Sequence, residues 1–458
     1  MLRDAVERGL IPIVRVRGRP SGPWTIEDRM RHHDVPGVQI AVIEGGEVAW
    51  TAGYGELERG SGRCVDERSR FQAASISKPV TALAVLRLVD RGALSLDQPV
   101  NERLRSWRVP ENEFTVARPV TLRALLSHTA GTTVSGFPGY ASGVELPSLR
   151  QILEGEPPAN TPAVRVDSPV GERFRYSGGG TTIVQLLLTE VVGQPFPELM
   201  RDLVLAPLGM RDSTFAQPLP SGLRASAATA HERGAPVSGG WNTYPEMAAA
   251  GLWTTAEDLG RFVIGLQQAR RGARGSLLSP ELAREMFTPP NGGPVGLGPA
   301  IEVEGRSIRF AHSGGNRGFS GRFVGDADRG QGAVVLTNAD RAMVFVGEAL
   351  NAVGDVAGWP DYVAPERDTS AVPAATLARY VGSYRSAELG TIAIRIDGDR
   401  LYARLPWSED AEMLASADRS FFFEDSRAEA EFGGDALDRG TLTLRQGDQT
   451  VIAVREGA

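Results

Sequence analysis

The chain of 458 residues is poor in three chemically useful residue types: it has one cysteine, Cys64, five histidines and, among its 49 lysines and arginines, a single lysine, Lys78. One cysteine excludes an intrachain disulfide and any cysteine-rich zinc or iron–sulfur site. Cys64 lies in a polar loop and reads as incidental. No acid or cysteine spacing around His32-His33 or His231 suggests a metal, and these three histidines read as surface residues. Long apolar runs are also missing. A spanning helix needs ~20 apolar residues, and the longest candidates, such as residues 183–188, fall far short. The first twenty residues carry Asp4 and Glu7 and only a five-residue apolar patch, which is not a signal peptide. The sequence as it stands points to the cytoplasm, or to the periplasm or exterior if a leader has been removed.

Basic residues are in the minority, 49 against 56 acids, for a net charge of −7. That balance argues against nucleic acid or an anionic membrane as the main partner. The 41% hydrophobic and 23% charged content excludes disorder over most of the length. A chain of this size implies two or three domains, or one large domain with an appendage.

GC-rich coding explains why arginine replaces lysine, but not why one lysine survives. Arginine cannot give up its proton in a protein, whereas lysine can when its surroundings disfavour the charge. Lys78 is therefore a candidate for proton chemistry.

Along the chain, residues 37–56 form two β-rich runs around Gly45-Gly46, the pattern of a hairpin with a primed turn. Residues 71–96 follow with apolar positions on more than one helical face, the mark of a buried helix. Pro79 falls in its first turn, where a missing N–H is tolerated, and Gly92 ends it. Helices are expected over residues 121–128, 181–192 and 342–356. Residues 131–169 form a Gly-, Pro- and Ser-rich loop of the length typical of a functional lid. Residues 309–324 and 333–337 read as paired strands. Strands early and late with helices between predict one α+β domain whose sheet joins both ends of the region. Residues 359–373 carry three prolines and read as a linker. From Tyr380 onward the runs are short, alternating and separated by turns, an all-β unit of barrel type. No internal repeat or low-complexity tract is present.

Ser75-Ile76-Ser77-Lys78 is an S-x-x-K tetrad at the start of the buried helix. A spacing of three puts both side chains on one face. The helix start offers backbone N–H groups to a developing oxyanion. A serine needs a base to take its proton, and burial against an apolar helix favours the neutral amine that can do so. The tetrad is weak alone but coincides with the only lysine. Three further segments join it: Tyr176 in RYSGGG before a helix, His128 in LLSHTAG, and His312-Ser313-Gly314-Gly315 on a strand, followed by Asn316 and Gly318.

With these segments in place, residues 35–360 resemble the serine β-lactamases and penicillin-binding proteins, on the side of class C enzymes, esterases and D-aminopeptidases. PLGM at 207–210 and GLWTTAEDL at 251–259 belong to the same likeness, and the segment after Tyr380 is similar to the lipocalin-like barrel that trails some members. The resemblance implies an α+β fold, an antiparallel sheet flanked by helices plus a helical subdomain, followed by a small all-β barrel. Its implied division is 1–360 catalytic, 361–375 linker and 376–458 barrel. Carried over by position, Ser75 is the acylated nucleophile and Lys78 helps deprotonate it. Tyr176 shuttles the proton to the leaving group and later activates water. His312, Ser313 and Gly314 stand at the strand motif, usually Lys-Thr-Gly, and the N–H groups of Ser75 and Gly315 form the oxyanion hole. The resemblance implies no metal and no cofactor. Its substrate class is a small ester, amide or peptide, and it leaves self-association open.

Two departures bear on substrate. The amide of the family's Tyr-x-Asn is missing, since Gly178 takes its place, and His312 replaces a lysine with a weaker, pH-dependent cation. Both look like changes found in esterases and aminopeptidases, and both lower the expectation of an efficient β-lactamase. The reading is thus a carboxylesterase or peptidase/amidase. Its alternatives are an acyltransferase, a cyclising peptidase, a weak β-lactamase, and an idle penicillin-recognising binding protein.

Blander roles stand beside these. Tyr176 alone reads as a core tyrosine at a turn, His312 as a strand histidine satisfied by backbone, and His128 as a residue fixing a helix end. Tyr244 and Trp253 read equally as pocket lining or core. Ala311–Gly315 also approximates a nucleophile elbow with Ser313 as nucleophile, but no histidine follows position 312 to serve it.

Overall fold

The computed structural model describes residues 2–304, 307–359, 364–386, 389–406, 410–434, 440–446 and 449–456. It divides into two compact units: Met30–Val346, and Met1–Arg29 together with Gly347–Ala458. Part of the expected linker, residues 361–363, lies outside the described residues.

The first unit is built on a six-stranded antiparallel sheet. Its strands are β1 (Gly37–Glu44), β2 (Glu47–Gly55), β3 (Ala300–Glu304), β4 (Ser307–Asn316), β5 (Phe319–Asp326) and β6 (Gly332–Thr337), in the spatial order β2-β1-β6-β5-β4-β3. The sheet joins early and late segments as expected, with β1 against β6 in the register Ile40↔Val335. β1 is buried from Gly37 through Ile43, so apart from the buried Gln39 it reads as an apolar run rather than an alternating one. Gly45 and Gly46 both take positive φ at the β1–β2 turn, as a primed hairpin requires. The run 309–324 is interrupted: it contains β4, a turn at Arg317-Gly318, and β5. Gly318 has a φ of 74°, which lets the chain reverse inside an otherwise strand-like sequence.

Helix α1 (Ser77–Asp90) is buried at every position from Ser77 to Leu86, consistent with its apolar residues lying on more than one face. Helix α2 (Leu122–Leu126) is capped by Thr121, whose side chain accepts from Ala124 N–H. Helix α3 (Gly178–Val192) starts three residues earlier than expected, capped by Ser177, and ends at Gly193 in the left-handed conformation. A Cβ at Gly179 would lie 2.6 Å from Thr133 O. That glycine lets the loop after α2 press onto the start of α3. The long loop 131–169 contains a short helix, Leu149–Glu154. Its Tyr140 N–H donates to Thr243 O at 2.8 Å.

In the second unit, strands β7 (Gly382–Ser386), β8 (Gly390–Asp397), β9 (Arg400–Arg404), β10 (Ala411–Ala415), β11 (Ser420–Phe422), β12 (Glu429–Gly433), β13 (Thr441–Gln446) and β14 (Gln449–Arg455) close into an antiparallel barrel. Tyr384, Ile394, Met413, Phe421, Phe432 and Leu442 are buried together, and Tyr380 stacks on Phe432 with centroids 4.2 Å apart. Side chains fill a barrel of eight strands, as its narrow bore allows. No helix among the described residues is long and apolar enough to cross a membrane.

Candidate active site

Ser75 sits in a single 3₁₀ turn, Ala74–Ile76, that runs into α1. Ala74, just before it, has a φ of 49°, a left-handed conformation that an alanine adopts only under constraint. β4 presses on this turn. A Cβ at Gly314 would lie 2.2 Å from Ala73 O, so only glycine lets the strand lie against the backbone preceding Ser75. The next residue, Gly315, is exposed, and a Cβ there would meet nothing within 4 Å. β4 pairs with β3 only as far as Ala311. Beyond that point His312–Asn316 pairs with β5, which leaves the other edge of β4 without a strand partner among the described residues.

Lys78 is 4% exposed. Its Nζ donates to Ser75 Oγ at 2.9 Å and to Ala249 O at 2.9 Å. Ala249 belongs to α4 (Met247–Ala250), which is tied to α3 through Gln185, whose Oε1 accepts from Ala248 N–H. Lys78 Nζ also lies 4.9 Å from the centroid of the Tyr176 ring. That ring is 4.5 Å from His128 and 6.2 Å from His312. Ser75, Lys78, Tyr176 and His312, separated by up to 237 positions in the sequence, thus converge on one place.

The surroundings of His312 disfavour its cationic form. Burial, with Lys78 and Arg322 nearby, pushes its pKa down to about 3, against a hydrogen bond to Ser313 that works the other way. Its Nδ1 lies 2.7 Å from Ser313 O. A carbonyl only accepts, so the neutral ring carries its proton on Nδ1 and leaves Nε2 as an acceptor. The backbone-satisfied role foreseen for His312 therefore holds for one of its two nitrogens. Arg322, opposite Ser313 on β5, donates to Ser313 Oγ at 3.4 Å and pairs with Glu302 at 3.5 Å.

Some residues around the site had no role assigned from the sequence, Asn316 among them. Asn316 Nδ2 donates to Gln72 Oε1 at 2.8 Å and to Ala250 O at 3.1 Å, which joins the end of β4 to the segments before Ser75 and at α4. Its place two residues after the strand motif's glycine was the available signal. Glu246, just before α4, is fully buried, and burial raises its pKa to about 7. His231 is a correction. Expected at the surface, it is 0% exposed, with Nε2 accepting from Arg59 N–H at 3.1 Å and Nδ1 3.0 Å from Asn338 O. Those partners are far away in sequence and leave no local pattern. His32 is exposed and His33 half-buried, and Cys64 is exposed. Tyr244 and Trp253 are fully buried core residues, and the Tyr244 hydroxyl accepts from Arg317 N–H at 3.1 Å.

The sequence pattern of the Beta-lactamase family matches residues 25–357. The chain belongs to the Beta-lactamase family. A second pattern, a Domain of unknown function (DUF3471), matches residues 366–448. Penicillin-binding protein 4 of Amycolatopsis lactamdurans is 34% identical over 185 residues, 40% of this chain and 46% of that protein. Esterase EstB of Burkholderia gladioli is 30% identical over 203 residues, 42% of this chain and 50% of the esterase. The chain thus spans about half the length of these two relatives. Among solved structures, the D-amino acid amidase of Ochrobactrum anthropi SV3, complexed with L-phenylalanine amide, shares the fold with a TM-score of 0.59 and 21% identity, over 78% of this chain and 98% of that one. The Beta-lactamase fold of this chain carries the closed barrel as an addition.

The buried histidines make a prediction for stability. Burial and the charge of Lys78 hold His128 well below its ordinary 6.5, and burial lowers His231 as well. An unfolded chain takes up these protons near pH 6.5 and the fold only at lower pH, so stability present above that pH is lost as pH falls. Glu246 acts in the opposite sense. Its contribution is present below its ordinary 4.5 and lost as pH rises to about 7, and Asp258, also raised by burial, follows it. With His312 added, three histidines outweigh these two carboxyls. The urea midpoint is expected to fall from pH 7 to pH 5, at ~1.4 kcal/mol per pH unit for each net proton. Glu246→Gln should make the fall steeper. A midpoint that rises on acidification contradicts this account.

Proposed function

We propose that the chain is a serine hydrolase that forms an acyl-enzyme on Ser75 and hydrolyses small esters or amides. The observation that carries the reading is the 2.9 Å contact between Ser75 Oγ and Nζ of the only lysine, itself buried. When Lys78 is neutral this contact runs in reverse, with Oγ–H donating to Nζ. Oγ then attacks the substrate carbonyl carbon while its proton passes to Nζ, directly or by way of the Tyr176 hydroxyl. The carbonyl oxygen becomes an oxyanion facing the N–H groups of Ser75 and Gly315. The bond to the leaving group breaks, and the same proton goes to the departing oxygen or nitrogen. Water then attacks the ester on Ser75, gives its proton to the Lys78–Tyr176 pair, and Oγ takes a proton back as the acid leaves.

Substrate preference follows from His312. A neutral ring that offers an acceptor cannot pair with a carboxylate, and the nearby Arg322 is already engaged with Glu302. Uncharged substrates suit such a site. The names of two similar proteins, an esterase and a D-amino acid amidase, support the ester and amide classes. Neutral p-nitrophenyl esters of short acids are expected to turn over readily, while penicillins only acylate or turn over slowly. Steady-state rates on both substrates are the test, and penicillin turnover much faster than ester turnover overturns the preference.

A further inference from the structure

His128 holds both neighbours of Tyr176. Its main-chain carbonyl accepts from Arg175 N–H at 2.7 Å, and its Nδ1 accepts from Ser177 N–H at 3.2 Å. Between these two bonds the ring of His128 lies 4.5 Å from the Tyr176 ring at 39°, with Phe174 edge-on at 6.0 Å on its other contact. The N–H groups on either side of Tyr176 thus both find their acceptors in one residue, 47 and 49 positions away. His128 makes both bonds from a φ of 57°, just past the end of α2, in the left-handed region that few non-glycine residues adopt. His128 is itself pinned. Thr129 N–H donates to Ala124 O at 2.8 Å, and Thr129 O accepts from Gly171 N–H at 2.6 Å. On the far side, Ser177 Oγ caps α3 by accepting from Gly180 N–H at 2.9 Å and donates to Thr133 O at 2.7 Å. His128 is 4% exposed.

We infer that His128 is a positioning residue for Tyr176: its carbonyl and Nδ1 fix the backbone on both sides of the tyrosine, and its ring fixes the plane of the phenol beside Lys78. The inference rests on the proposed role of Tyr176 in proton transfer. The acceptor role of Nδ1 needs a neutral ring, which burial and the nearby Lys78 maintain. A ring flip or protonation removes the bond to Ser177 and frees the tyrosine to swing away from Nζ.

The test compares kcat and KM on p-nitrophenyl acetate for the full-length wild type, His128→Asn, His128→Gly, Tyr176→Phe and the double variant His128→Gly/Tyr176→Phe. Asparagine and glycine both accept a positive φ. Asparagine also offers an oxygen where Nδ1 stands. A misplacement of about 1 Å at a reacting group costs ~10²-fold, so His128→Gly is expected to lose about that much in kcat with KM little changed. His128→Asn should recover most of the loss. The double variant should be no slower than Tyr176→Phe alone, because His128 acts only through the tyrosine. Equal losses in Asn and Gly, or a double variant slower by the product of both losses, overturn the inference. If His128→Gly does not fold, His128→Gln replaces it. Its acceptor sits one carbon too far, so it should lose activity where His128→Asn keeps it, and the reverse order overturns the inference. A Tyr176→Phe protein with the wild-type rate would instead overturn the proton-transfer role of Tyr176, and the inference with it. That failure shows in the single variant alone.

Discussion

Ser75→Ala is expected to give a folded protein that neither turns over esters nor takes up an acyl group. The substitution removes one oxygen from a half-buried side chain whose hydroxyl accepts from Lys78 Nζ. The turn Ala74–Ile76 and its packing against β4 depend on backbone and on Gly314, so the melting temperature should stay close to wild type. The proposed mechanism leaves no second route, because its covalent intermediate requires Oγ. Removing the nucleophile of a serine hydrolase costs on the order of 10⁶-fold in kcat. Ester hydrolysis by the purified variant, at equal protein concentration, is the measurement. Activity near wild type removes Ser75 from the reaction and with it the account of Lys78.

The second large effect is expected at Lys78. Lys78→Arg preserves positive charge and much of the volume, in a chain where arginine fills every other basic position save histidine. A guanidinium cannot take a proton from Ser75, because it is never deprotonated in a protein. Its planar head also cannot reproduce the two bonds that Nζ makes, one to Ser75 Oγ and one to Ala249 O. The expected loss in acylation rate is ~10²–10⁴-fold, the range for general base catalysis, measured as the pre-steady-state release of p-nitrophenol. A lysine that serves only as a counter-charge predicts a nearly active arginine variant. That outcome would move the base role to Tyr176.

What could be read from the sequence was local or periodic. The S-x-x-K spacing names Ser75 and Lys78 because three positions on a helix share a face, and the structure puts Nζ and Oγ in hydrogen-bond contact. The buried helix α1, the Gly45-Gly46 hairpin and the barrel after Tyr380 were legible for the same reason: hydrophobic period and turn chemistry act over a few residues. The unread parts were those set by distant partners. His231 is buried because Arg59 and Asn338 come to it across 172 and 107 positions. His128 holds Ser177 from 49 positions away. β3 went unread in a Gly- and Pro-rich stretch, and the reading of 309–324 as strand passed over the turn residues Asn316-Arg317-Gly318. The charge of His312 is likewise a product of its surroundings, since the residue type allows either state near neutral pH.

The central claim is a covalent acyl-enzyme on Ser75, and intact-mass spectrometry of the full chain tests it most directly. The protein would be mixed with p-nitrophenyl esters, D- and L-aminoacyl amides and penicillin, quenched in acid within the first turnovers, and digested for mapping. The account predicts a mass increase equal to one acyl group from at least one of these substrates, located on the peptide that holds Ser75 and absent from Ser75→Ala. Turnover of an ester or amide with no adduct at any quench time, or with the adduct on another residue, would contradict it.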